Sequence, residues 1–504
     1  MFKQKIITIY ISQIINHVLQ ISASIIVAKI AGPTVVGTVA FATAYVSSFS
    51  FIADLGLNTV HVKLISEGKD HKKLIGTYAA LKMLLAVIFV VSFLIFLAVQ
   101  RYYYGVYFES DDHEYVVLIA VLSAIIDSVI AVSLYTYIGK TESAKVELPV
   151  LMSSFISQVS RIAVVLLGFG AVSISLGNMA SGLLLMMVYI YLLKGDNLGD
   201  LKGILLSYDA EIAKKYVKTA IPVVLLGFST NLIEYIDKVI LQFHTNSAQV
   251  GYYTAGFRFG FIIMLIGNSV SNLFMPAFSN AFNKGDYEYV NSVVYKFERF
   301  CFVFLMPFVV LFSVLAKPII LMLLGKEYAV SIDVMMIVNV TMFLRVIAQP
   351  YVSVINGMGN FKLSGFLYTA SVALMVILLF VFSHPKLLNM GAVGVSISML
   401  ITYMVLNLLF KYFAKRSVSQ LEYRLFFGFW IVGLLTYLVS YYVYDKYFSC
   451  DLIGMTTFGV LFLLVNFGGL KLFGVVNRED VDKIVSILNV FKLRDYIKGE
   501  FSKR

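Results

Sequence analysis

The chain has 504 residues, 60% hydrophobic and only 14% charged, with a mean hydropathy of +0.86. Soluble chains average about 25% charged residues, so this composition excludes an ordinary soluble globular protein and points to one built for lipid. The formal charge of +11 invites a nucleic-acid reading, but the placement of the basic residues supplies a different cause.

Apolar stretches of about 20 residues, the length that crosses a bilayer, recur at 6–28, 39–60, 77–100, 116–138, 148–168, 171–193, 219–242, 250–275, 297–317, 331–356, 361–383, 390–411, 424–444 and 453–474. The prediction is therefore an all-α polytopic membrane protein of about 14 transmembrane helices. Lys3 and Lys5 precede an apolar stretch that continues to Ala28, longer than the ~7–15 residues of a cleavable signal. If Met1 is cytoplasmic, about 29 of the 40 Lys and Arg fall in inner loops and tails and about 6 in outer loops. That asymmetry puts both termini inside, and anionic inner-leaflet lipid accounts for the charge without nucleic acid. Cys301 and Cys450 are expected on opposite sides of the membrane, so no disulfide between them is expected. Val62–Leu74 and the tail from Arg478 read as short amphipathic segments lying on the inner surface.

The chain repeats itself. Val36-Gly37 returns as Val250-Gly251, Gly68-Lys69-Asp70 as Lys284-Gly285-Asp286, and Gly170-Ala171-Val172 as Gly391-Ala392-Val393, in the same order and at a separation that drifts only slowly. Six spans lie within one shift, an even number, so the halves share an orientation and form a parallel pseudo-twofold repeat, an arrangement common in secondary transporters. The expected organisation is an N-terminal lobe at 1–200, a linker at 201–218, a second six-helix lobe at 219–411, an extra helix pair at 412–474 and an amphipathic tail at 475–504.

Charges inside the spans select candidate functional residues, because each costs about 2.5–3.5 kcal/mol at a helix centre. The seventh span places Gly227, Thr230, Asn231, Glu234 and Lys238 on one helical face with Asp237 at its margin. Lys29, Asp127, Arg161, Lys238, Arg258 and Arg345 are the candidates for a substrate cavity, and Asp54, Glu234 and Asp237 for coupling to a proton or sodium ion. Lys82, near a helix end, is expected to snorkel to water. The competing reading is structural pairing, with Glu234 and Lys238 neutralising each other at i, i+4. A guanidinium fork suits phosphate oxygens, so the mild excess of cations favours an anionic passenger. Pro149, Pro222, Pro307 and Pro350 are candidate kinks.

Several segments resemble those of Wzx-type polysaccharide flippases: Ala28-Lys-Ile-Ala-Gly-Pro-Thr-Val-Val-Gly37, Ile52-Ala-Asp-Leu-Gly-Leu57, Ala220-Ile-Pro222, Asp237-Lys-Val-Ile-Leu241 and Val250-Gly-Tyr-Tyr-Thr-Ala255. Pro276, Lys284-Gly-Asp286 and Leu323-Leu-Gly-Lys-Glu-Tyr328 extend the likeness, which covers about residues 5 to 411. The resemblance implies the superfamily that also holds MATE drug exporters and lipid II flippases. It further implies two lobes rocking around a central cavity, and a cargo of polyprenyl-diphosphate-linked oligosaccharide moved from the inner to the outer leaflet of a bacterial cytoplasmic membrane. Membrane lipids, and a polysaccharide polymerase with its chain-length machinery, are the partners it suggests; no cofactor and no catalysis are expected. Lys29 stands where an Arg is commoner in that family, and Arg258 where a Lys is frequent. Three alternatives stay open: a lipid II flippase, a MATE-like cation antiporter, and a membrane glycosyltransferase or polymerase. The last draws on Glu109-Ser-Asp-Asp-His-Glu114, whose carboxylates and His resemble a metal-binding set. The excess of cations opposes the antiporter.

Overall fold

A computed structural model describes residues 2–68, 70–105, 107–195, 207–271, 274–417 and 424–472. Within them the chain forms seventeen α-helices and no strand. They are α1 (Phe2–Ser47), α2 (Leu57–Ser66), α3 (His71–Tyr102), α4 (Asp111–Gly139), α5 (Ser143–Leu166), α6 (Ala171–Gly195), α7 (Ala210–His244), α8 (Ser247–Ser271) and α9 (Phe274–Asn283). The series continues with α10 (Tyr287–Phe300), α11 (Met306–Val314), α12 (Ala316–Leu323), α13 (Val330–Gly357), α14 (Phe361–Ser383), α15 (Gly391–Ser417), α16 (Arg424–Tyr447) and α17 (Leu452–Leu472). Among the described residues ten helices are long and apolar enough to cross a bilayer, or eleven with the bent α7 counted as one span. Among the described residues each of the fourteen expected spans overlaps helix. The first two share α1, and α8 and α16 add helices of 25 and 24 residues.

The breaks have local causes. α1 is interrupted at Gly32 (φ 78°, ψ 170°), a conformation open to glycine, immediately before Pro33. The second crossing therefore starts at Pro33 rather than near 39. It ends in a 3₁₀ turn (Ser50–Ala53) and a left-handed pair, Leu55 and Gly56, before α2. The expected segment Val62–Leu74 is accordingly two pieces: α2 stops at Ser66, Gly68 turns the chain with φ 76°, and α3 starts at His71. Pro307 follows a π-helical turn, Cys301–Leu305, that joins α10 to α11 without a break; a proline lacks the N–H that a regular α-helical register needs there. α7 bends by 60° between Ile221 and Val224, next to Pro222. The tail at 475–504, and residues 201–206 of the expected linker, lie outside the described residues.

Two helical lobes result. In the first, α1 packs on α4 and α5, and α6 on both of these; in the second, α13 packs on α8 and α15, and α14 on α7 and α15. α16 and α17 dock on α11 at the edge. The repeat is visible in detail. Asp70 accepts from the Lys73 N–H at 3.4 Å at the start of α3, and its counterpart Asp286 accepts from the Tyr289 N–H at 2.9 Å at the start of α10.

The lobes meet where α1, after Pro33, crosses α8. A Cβ on Gly37 would lie 1.7 Å from the Ser247 carbonyl oxygen, and one on Gly251 would lie 2.0 Å from the Pro33 carbonyl oxygen. The two glycines are the repeat-related pair, each facing the backbone one helical turn before the other, so the pseudo-twofold axis passes between them. Small residues let membrane helices approach this closely. Gly37→Ala or Gly251→Ala should cost on the order of 1–3 kcal/mol by overpacking and lower the melting temperature in detergent. Gly459→Ala, which meets no atom within 4 Å, should leave it unchanged.

Candidate functional site

Three adjoining cavities run along the seam between the lobes. The first, about 270 Å³, is walled by α1, α5, α6, α7 and α8, and Arg161, Lys238 and Arg258 all reach it. No carboxylate lines it. Among the described residues Arg161 and Arg258 have no carboxylate within 4 Å; Arg161 donates only to Gln158 Oε1, at 3.0 Å. Arg161 Nε and Thr254 Oγ1, both at this cavity, are buried without a hydrogen-bond partner. Buried polar groups are normally satisfied, so these two orphaned atoms are exceptions, and both border the cavity that the two guanidinium groups reach without a carboxylate.

Thr43, Asn178 and Tyr235 form a shared wall with the second cavity, about 590 Å³, which Asp54, Lys82, Asp127, Asn58 and Tyr135 also line. Ser50, Asp54 and Asn58 in turn border a third, about 240 Å³, against α7 from Val224 to Asn231. Lys82 does not snorkel. Its side chain is 4% exposed, and its Nζ sits 2.8 Å from the Ala53 carbonyl oxygen and 3.6 Å from Asp54. The twelfth residue of α3 lies about 16 Å along the helix axis from His71, too deep for a lysine to reach the helix end. The break after Ala53 leaves a carbonyl free to receive it.

The remaining charged candidates are paired elsewhere. Glu234 bonds to Arg345 across the α7–α13 contact, and the Arg345 guanidinium lies 4.8 Å from the Tyr403 ring centre. Asp237, 1% exposed, accepts from Tyr253 OH at 2.6 Å and from Lys238 Nζ at 3.1 Å. Lys238 thus answers Asp237 and the Glu234 backbone carbonyl, at 3.3 Å, rather than the Glu234 carboxylate. Lys29 is exposed and lines none of these cavities.

Two further polar sites lie outside the candidates for the cavity and for ion coupling. In the second lobe, buried Lys411 donates to Glu298 Oε1 at 3.0 Å, and Tyr351 OH bonds to the same oxygen. The repeat is the signal that could have found both this cluster and Lys82, since the shift that carries Asp70 onto Asp286 also carries Lys82 onto Glu298 and Tyr135 onto Tyr351. The other site ties the lobes together beside the glycine pair, at the end of the bundle remote from Asp70 and Asp286. There Glu109 Oε2 accepts from the Ser247 N–H (2.9 Å), the Ser247 hydroxyl (2.5 Å) and Gln242 Nε2 (2.7 Å), while His113 Nε2 lies 2.7 Å from Ser247 Oγ and 3.4 Å from Thr38 Oγ1. Glu109 and His113, read from sequence as part of a possible metal set, thus clamp α8; among the described residues no three His, Cys, Asp or Glu gather where a metal could sit.

Burial pushes the Glu109 carboxyl up, but the hydrogen bonds from Ser247 and Gln242 outweigh it and hold the group below the ordinary carboxylate value. A depressed pKa means the clamp is fully present above the value of a free carboxylate and is lost as pH falls through the lower, clamped value. Spin labels at Asp112 and Leu388 should therefore move apart in Glu109→Ala at neutral pH, and in the parent protein only below the ordinary carboxylate range. For the central pair, Arg345→Gln should destabilise the protein by leaving Glu234 unanswered. Adding Glu234→Gln should restore part of the loss, with a coupling of roughly 0.5–3 kcal/mol in a double-mutant unfolding cycle.

With this geometry in place, comparisons with known proteins identify the lineage. The solved structure of the lipid II flippase MurJ in an inward closed conformation matches with a TM-score of 0.72 at 17% identity, covering 92% of this chain and 99% of that one. A multidrug resistance MATE family transporter of the MOP superfamily matches in its inward-facing conformation with a TM-score of 0.67 at 17% identity, covering 80% of this chain and 94% of that one. An outward-facing structure of that description matches at 0.58 and 17% identity, over 83% and 96%. No curated protein matches by sequence. A family model described as polysaccharide biosynthesis protein matches residues 10–333, more than half of the chain. The chain belongs to this polysaccharide biosynthesis family, and its fold is the one seen in the lipid II flippase and MATE transporter structures.

Proposed function

We propose that the protein carries polyprenyl-diphosphate-linked oligosaccharide units from the inner to the outer leaflet of the bacterial cytoplasmic membrane by alternating access, supplying surface polysaccharide synthesis. The observation that carries this reading is the convergence of Arg161, Lys238 and Arg258 on one cavity between the lobes, with no carboxylate in its wall. A diphosphate head cannot cross a ~30 Å hydrocarbon core unaided. Its lipid tail never has to leave the bilayer, so the carrier need only shelter the head.

The basic loops support cytoplasmic termini, which puts the Glu109 clamp and the Gly37–Gly251 crossing at the outer end. In this reading the structure is closed outward, and transport proceeds by parting those contacts while the proximal end closes. The bent α7 suits that exchange, because its first part packs on α2 and α3 and its second on α14. The two lobes at 1–200 and 219–411, the linker, the helix pair and the tail are the units of the motion we envisage. A proton or sodium gradient would act through Asp54, Glu234 or Asp237, each of which already has a cation to exchange. Delivery to a polymerase and its chain-length machinery follows on the outer side. A lipid II flippase is the second reading, favoured by the overall likeness to MurJ.

Reconstitution into liposomes separates the two. A polyprenyl-diphosphate glycan unit should change leaflets at least tenfold faster than lipid II, and the opposite ranking would select the second reading. Arg161→Ala or Arg258→Ala should each slow the glycan lipid by more than tenfold, since a hydrogen bond to a charged group contributes about 1.5–3 kcal/mol. Lysine at either position should retain part of the rate if charge rather than the planar fork is what acts.

A further inference from the structure

Resting on that reading, we propose that the larger compartment next to the cationic cavity receives the sugar adjoining the diphosphate and selects neutral or amino sugars over acidic ones, with Asp127 as the selecting group. Continuity is the first support. Thr43, Asn178 and Tyr235 border both spaces, so a head whose phosphates lie at Arg161 and Arg258 has its next residue at the mouth of the larger one. Size is the second, since at about 590 Å³ the compartment falls within the range of roughly 300–1,000 Å³ usual for small-molecule sites.

The third is the state of its charges. Lys82 is committed to the Ala53 carbonyl oxygen at 2.8 Å and to Asp54 at 3.6 Å. Asp54 also accepts from the Asn58 N–H at 3.1 Å. Asp127 is different: its side chain is open to the compartment, and among the described residues no donor lies within hydrogen-bond distance of it and no cation within 4 Å. Lys82 and Asp54 cancel, which leaves Asp127 as the net negative charge in a wall that is part apolar, with Ser47, Ser50, Ser123, Tyr135 and Asn178 among its polar groups. A carboxylate there accepts strong hydrogen bonds from sugar hydroxyls or from an ammonium group. A uronic acid would place a second carboxylate beside it, and juxtaposed like charges are a means of rejecting a wrong ligand. One chamber thus holds two fields of opposite sign, a positive one for the phosphates and a negative one for the first sugar.

The test uses the full chain in nanodiscs and three synthetic lipids: polyprenyl diphosphate alone, the same lipid bearing one N-acetylglucosamine, and the same bearing one glucuronic acid. The proposal expects the sugarless and neutral lipids to bind, the acidic one to bind about tenfold more weakly than the neutral one, and Asp127→Asn to shrink that gap to twofold or less. Equal binding of the neutral and acidic lipids by the parent protein overturns the proposal while leaving the cationic cavity intact, as does a gap that persists in Asp127→Asn. Failure of the sugarless diphosphate to bind ends the cationic-cavity reading and this proposal with it. If Asp127→Asn slows the flipping of all three lipids to the same extent, without a change in their relative affinities, Asp127 belongs to ion coupling and the sugar assignment is wrong.

Discussion

A charge inside a bilayer has to be answered, by an opposite charge, by backbone dipoles or by water, because hydrocarbon answers nothing. That requirement sorts the interior of this protein. Asp54 with Lys82, Glu234 with Arg345, Asp237 with Lys238 and Glu298 with Lys411 are answered from within the chain. Arg161, Arg258 and Asp127 have no such partner among the described residues, and each borders a cavity. Pairing consolidates the lobes, whereas in the proposed function the unanswered charges are where a passenger supplies the counterpart. The distinction matters because a buried pair alone is weak support for function.

The same logic connects packing to motion. The glycine crossing brings two backbones into contact, and the Glu109 clamp beside it is made of hydrogen bonds to one serine and one glutamine. The same seam also buries apolar side chains, with Phe41 and Tyr45 of α1 against Phe243 of α7, so parting the lobes requires that surface to be covered again. The Glu234–Arg345 pair lies between α7 and α13, both packed within the second lobe, so the proposed rocking would carry it along with that lobe.

Much of this was legible in the sequence, for identifiable reasons. Spans of apolar residues are a strong signal because the bilayer thickness fixes their length. The repeat showed in Val36-Gly37 and Val250-Gly251 because the constraint at those positions is steric contact between backbones, which only glycine meets. The gap between the first two apolar runs located the helix break at Gly32 but not that the second crossing resumes at Pro33, and the amphipathic look of Val62–Leu74 concealed the turn at Gly68. Partner choice was less legible. Spacing along one helix suggested Glu234 with Lys238, yet tertiary contacts gave Glu234 to α13 and Lys238 to its neighbour Asp237. Lys82 was misplaced because its acceptor is a carbonyl freed by a helix break, which charge patterning does not record. Glu109 and His113 stood out for their chemistry, but only the fold shows that they face Ser247.

The most direct test of the central claim is a structure of the protein solved with polyprenyl diphosphate bound. The account predicts phosphate oxygens within hydrogen-bond distance of both Arg161 and Arg258, in the cavity bordered by Thr254 and Tyr235, with the hydrocarbon chain leaving through the side of the bundle. A diphosphate seated elsewhere, or a cavity that contains only water at saturating lipid, would contradict it.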